Sequence, residues 1–139
     1  MAFFAMMKDK TTTWLELAEN DFEFSENILK NGNRPHYVVH FCHQALEKIL
    51  KAVVQEYTEE DPKRTHNFKI LWEQAQIPLA EEQKLLLLDI MPHYLGTRYP
   101  EDIRELHKTY TVEFVQKTLE QTREIFQWLK HYLQSKTVS

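Results

Sequence analysis

Glycine, cysteine and long apolar runs are what this chain of 139 residues has least of: it holds two glycines, five prolines and one cysteine. So few glycines cannot supply the tight turns of a many-stranded sheet, whereas abundant Leu, Glu, Lys and Gln favour helix; the expected class is all-α. The lone Cys42 forms no internal disulfide and suits a reducing cytoplasm, where it reads as a core residue. No stretch of about 18 apolar residues occurs, so no membrane span is expected and the predicted location is cytoplasmic. Excess positive charge is missing too. Seventeen Lys and Arg against 21 Asp and Glu give a net charge of −4, which argues against broad attraction to nucleic acid or anionic membrane and leaves room only for a local basic patch.

What is present is a set of helical periodicities within the length of one domain, 1–139, with 1–10 and 135–139 expected as flexible ends. The apolar opening Met1–Met7 has no basic region before it and is too short for a signal peptide; it reads as a frayed extension ahead of a start at Met7, or else as a docking arm. A first helix is predicted over Thr13–Lys30, capped by one of Thr11, Thr12 or Thr13 and stopped by Gly32, with Asp21 on its inner face in need of a partner. A third helix should open at Thr65 as N-cap. A fourth, from Ala80, carries Leu85, Leu86, Leu87, Leu88, Ile90 and Met91, apolar nearly all round, as burial against a second copy of the chain would require. The last is expected from Thr111 to Leu133. Together they predict an antiparallel up-and-down bundle of four long helices plus one or two short ones.

The organising element is the second helix, His36–Tyr57. Val38, Cys42, Ala45, Leu46, Ile49 and Val53 form an apolar sector too wide for one packing seam, so the helix should sit centrally. Its other sector gathers His36, His40, His43, Gln44, Glu47, Lys48, Lys51 and Gln55. Such a stripe is either a solvated face with ordinary i,i+4 pairs or an anionic-ligand site. In the second case Lys48, Lys51 and Arg98 hold phosphate, His43 and His66 donate hydrogen bonds or shuttle a proton, and Gln44 meets a base or sugar, with Glu47 orienting a cation. His36, His40, His43 and Glu47 also recur at metal-ligand spacing, but ligands from a single helix rarely close a tetrahedral shell, so no metal is assigned.

The run His43-Gln44-Ala45-Leu46-Glu47-Lys48-Ile49-Leu50-Lys51-Ala52, then Thr65-His66-Asn67-Phe68, then Thr97-Arg98-Tyr99-Pro100, resembles the HEPN domain in order and spacing, from about Trp14 to Tyr132. The resemblance implies a helical bundle, often dimeric, that binds a nucleotide and works beside a separate minimal nucleotidyltransferase in a toxin–antitoxin-like module. In that reading the nucleotide-binding residues are His43, Gln44, Glu47, Lys48, Lys51, His66 and Arg98; the bound group is a nucleotide, with Mg²⁺ accompanying it unassigned. The alternative is a metal-independent ribonuclease acting on RNA, in which an Arg and a His with four to six residues between them, near the start of a late helix, cleave the backbone. The arginine and histidine available are Arg98, Arg104 and His107, with eight residues between Arg98 and His107 and two between Arg104 and His107. Tyr110, three residues after His107, approximates a tyrosine that the partner enzyme modifies. A second alternative is a dimerisation module without ligand.

Overall fold

The computed structural model describes residues 7–31, 34–94, 104–105, 108 and 110–138. Among them are five α-helices and one 3-10 turn, and no strand: α1 (Asp9–Asn31), α2 (Pro35–Tyr57), α3 (Phe68–Ala75), α4 (Glu81–Ile90), the turn Met91–His93, and α5 (Val112–Val138). The arrangement is the expected all-α up-and-down bundle. Its length is concentrated in α1, α2 and α5, of 23, 23 and 27 residues.

Helix α2 is the centre because two of its faces are apolar. Leu46, Ile49, Leu50 and Val53 are fully buried with Phe68 and Leu71 of α3, Leu87 and Ile90 of α4, and Ile125, Leu129 and Leu133 of α5. Nearer its start, Val38, Val39 and Cys42 form a second cluster with Tyr110, Val115 and Leu119. Removing such aliphatic surface from water is the main stabilising term, about 25 cal/mol per Å². Cys42 is a free, buried thiol, as its place in the apolar sector predicts.

The helix ends depart from the sequence reading in instructive ways. Helix α1 begins at Asp9, and no threonine caps it; Thr11 is instead buried, its hydroxyl donating to Glu56 Oε1 at 2.9 Å. Glu56 also accepts from the Lys8 backbone N–H at 3.0 Å, and the Lys8 ammonium donates to the carbonyls of Gln55 and Thr58, both at 3.0 Å. A cation over the last carbonyls of α2 neutralises its negative end. The cap of α3 is Asn67, not Thr65: the Asn67 side chain accepts from the N–H groups of Lys69 and Ile70, while Thr65 Oγ1 accepts from Asn67 N–H. Thr111 caps α5, its hydroxyl accepting from Phe114 N–H at 3.1 Å. That helix continues past Leu133 to Val138, with Lys136 donating to the Glu56 carbonyl. On α4, only Leu87 and Ile90 are buried, and Leu85 and Leu88 face out.

Candidate functional site

The polar sector of α2 is not a solvated face. His36, His43, Glu47, Gln55 and Glu56 are all buried, and His40, Gln44, Lys48 and Lys51 are half-buried. Burying charge is costly unless it is paired, and here each charge has a partner. Lys48 Nζ donates to Asp21 Oδ2 of α1 at 2.5 Å, which supplies the partner that an inward-facing Asp21 requires. Lys51 Nζ donates to Glu47 Oε2 at 3.0 Å and stands 5.4 Å from the Trp14 ring. The remaining Glu47 oxygen faces His66, on the loop between α2 and α3: His66 Nδ1 lies 2.8 Å from Glu47 Oε1.

This last contact has a chemical consequence. The carboxylate is almost enclosed, with 7% of its side chain exposed, whereas the His66 ring is 50% exposed. An ionised carboxylate can only accept, so Nδ1 carries the hydrogen and, in the neutral ring, Nε2 holds the lone pair. A buried carboxylate thus fixes the tautomer and orientation of an accessible imidazole, the arrangement that general acid–base catalysis uses.

Around the pair is a stack of flat rings. Tyr94, just after the 3-10 turn, lies 4.0 Å from His66 at 25°, 5.2 Å from His43 and 5.5 Å from His40. His43 in turn lies 4.4 Å from Phe68 at 30°. The His43 side chain is wholly buried, and its ring nitrogens make no well-formed hydrogen bond among the described residues, although the His66 backbone lies near enough to oppose the fall in its pKa; Glu47 Oε1 is 3.9 Å away, beyond bonding distance. Burial above all, helped by the neighbouring His40 and His66, pushes its pKa down to about 3, so the ring is neutral near pH 7 and the Glu47 contact is no ion pair. Burial likewise lowers the pKa of His40, opposed by Asp21 and Glu47.

Of the residues singled out from sequence, His43, Glu47, Lys51 and His66 converge here, and Lys48 stands one helical turn away on Asp21. Gln44 is half-buried at the edge. Glu47 Oε2 accepts from the Lys51 ammonium within the same helix. Arg98 and His107 lie outside the described residues, and Arg104 is exposed. Tyr110 is 3% exposed, its hydroxyl 2.6 Å from His93 Nδ1, which is poor access for a modifying enzyme. Among the described residues no three His, Cys, Asp or Glu side chains are grouped to hold a metal ion. Tyr94 and Trp14 belong to the site, yet sequence spacing gave no sign of either: one follows a proline-containing turn and the other sits on an inner-facing line.

Comparison with known proteins yields one family: the HEPN domain matches residues 11–132. No curated protein and no solved structure matches the chain. With most of the helical bundle and the whole of the Glu47-bearing α2 and the His66 loop inside the matched segment, the chain belongs to the HEPN domain family.

Proposed function

We propose that this HEPN protein is a metal-independent ribonuclease, with His66 as a proton-transfer group oriented by Glu47. One observation carries the reading: the 2.8 Å contact between an enclosed carboxylate and a half-exposed imidazole. In RNA the 2′-hydroxyl is the built-in nucleophile. His66 Nε2 takes its proton, O2′ forms a bond to the adjacent phosphorus, and the bond from phosphorus to O5′ breaks. The leaving O5′ must receive a proton, and His107, the candidate histidine that follows Arg98 and Arg104 at a spacing other than the family's, is assigned to give it. The products are a 2′,3′-cyclic phosphate and a 5′-hydroxyl.

The lysines play a smaller part than their charge suggests. Lys48 and Lys51 are balanced by Asp21 and Glu47, so the four together add no net charge, and stabilising the phosphorane is assigned to Arg98 or Arg104. Labelled RNA incubated with the protein and EDTA tests the reading. Cyclic-phosphate ends are expected, lost in both His66→Ala and His107→Ala. Intact RNA with wild-type protein overturns it.

A second reading rests on a different observation, the ring stack around the buried His43, whose nitrogens make no well-formed hydrogen bond among the described residues. In it the site holds the base of a nucleotide, Lys48, Lys51 and Arg98 hold its phosphates, and the protein serves as the homodimeric partner of a separate minimal nucleotidyltransferase, joined through the exposed Leu85 and Leu88 face. A saturable thermal shift with ATP or GTP, tested with and without Mg²⁺ and lost in Arg98→Ala, is its expected mark. No shift with any nucleotide removes it.

A further inference from the structure

His66 reaches Glu47 by a long return. Glu47 lies ten residues before the end of α2, so the chain passes Tyr57 about 15 Å beyond the carboxylate and has to bring His66 back over the same distance. The returning loop cannot be held by burial: from Thr58 to Asn67 its only apolar side chain is that of Pro62. Two glutamine amides hold it instead. Gln55 of α2, itself buried, donates to Asp61 Oδ1 at 3.3 Å, and its oxygen accepts from Trp14 Nε1–H of α1, also at 3.3 Å. Gln74 of α3 accepts from the Lys63 backbone N–H and donates to the Asp61 carbonyl, both at 3.0 Å. Neither amide can be turned over, because an indole or backbone N–H only donates and a carboxylate or carbonyl only accepts.

Asp61 is therefore gripped from three helices, with Lys10 of α1 at 3.5 Å from the same carboxylate oxygen that Gln55 meets. Lys63, three residues before His66, is tied to α3 through Gln74, and Asn67, one residue after it, is fixed as the cap of α3. Only Arg64 and Thr65 are left between these anchors to set where the His66 backbone lies. A ring carried between two fixed points meets the carboxylate in one orientation, whereas a ring on a loose loop would spend little time in a 2.8 Å contact. We propose that Gln55 and Gln74 are positioning residues: they hold the loop so that His66 gives its Nδ1–H to Glu47 and keeps the lone pair on Nε2. For catalysis this rests on the reading of His66 as the proton-transfer group, but the tautomer is a property of the protein without RNA.

The test uses the full chain, labelled with ¹⁵N at histidine and observed by NMR at about pH 9, above the ordinary histidine value of about 6.5, with His66→Ala identifying the His66 signals. Wild-type His66 is expected to show Nδ1 in the N–H range and Nε2 in the lone-pair range. In the double variant Gln55→Ala, Gln74→Ala the two shifts should move toward one another as the Nε2–H form mixes in, and each single variant should show part of the movement. On RNA the double variant should lose at least about tenfold in kcat with KM held within about twofold. A thermal melt shows which variants are folded, and the single variants carry the same readings if the double one is not. A folded variant that melts lower but keeps the wild-type His66 shifts overturns the proposal, since glutamines that only add stability behave in that way. So does a wild-type His66 without the Nδ1–H form. Shifts that move as expected beside RNA that the wild-type protein leaves intact remove the cleavage reading and uphold the positioning of His66.

Discussion

The α2–α3 corner and the α1–α2 hairpin lie at the two ends of one run of rings, from Phe24 through Phe41, His40 and Tyr94 to His66, yet they are finished differently. At the corner the ions are enclosed and matched: Glu47 with Lys51 and His66, Lys48 with Asp21. At the hairpin the rings of Phe24 and Tyr37 stand partly in water. A region that satisfies its own polar groups is pre-organised and needs nothing further to hold its geometry, which is what proton transfer requires. The other region leaves apolar rings exposed, and no matched ions hold those rings in place among the described residues.

The largest effect should come from breaking the matched corner. Glu47→Ala leaves the largely buried Lys51 ammonium without its carboxylate and His66 without its anchor, and should cost about 2–3 kcal/mol in a urea melt. Glu47→Gln, of the same shape, should recover part of the stability but not the activity. A loss under about 0.5 kcal/mol for Glu47→Ala would mean that the corner is no tighter than an ordinary surface pair.

His43 sharpens the contrast from inside the same corner, since its buried nitrogens make no well-formed hydrogen bond among the described residues. His43→Phe replaces them with a ring that can stack on Phe68, and stability should rise by about 1 kcal/mol at pH 7. The pH dependence follows from the depressed pKa. Below the ordinary histidine value of about 6.5 the unfolded chain takes up a proton that the folded His43 refuses until about pH 3. Stability therefore falls as pH is lowered through that window, and His43→Phe should flatten the fall between pH 6.5 and 4. Identical pH slopes in the two proteins would remove His43 from the account.

The smallest stability effect belongs to the hairpin. Phe24→Ser removes a half-exposed ring and should change stability by no more than about 0.5 kcal/mol. A loss above about 1.5 kcal/mol would make Phe24 a structural residue and take away the contrast between the two regions.

Much of the corner is legible in the sequence. The apolar sector of α2 is wide enough to demand a central position, and the polar residues left over, Glu47 and Lys51 above all, lie one turn apart on what remains. The motif carrying His66 belongs to the same family pattern as α2, so their meeting follows from kinship more than from spacing. What spacing cannot reach is contact between elements. An inward-facing Asp21 needs a partner, but nothing local picks Lys48 as that partner over Lys51. Tyr94 joins the rings because the proline-bearing 3-10 turn redirects the chain after α4, and no periodicity encodes that direction. Asn67 displaces Thr65 as the cap because its carbonyl reaches two N–H groups at once. The start of α1 at Asp9 rests on a long-range link, from Thr11 and Lys8 to Glu56, that is invisible along the chain.

The central claim is that His66 moves a proton, and chemical rescue tests it most directly. RNA cleavage by His66→Ala would be measured in EDTA with rising concentrations of free imidazole, beside a melt showing that the variant is folded. Cleavage lost in the variant and restored by imidazole is the predicted result. A folded variant that cuts RNA at the wild-type rate, or one that imidazole never restores, would contradict the account.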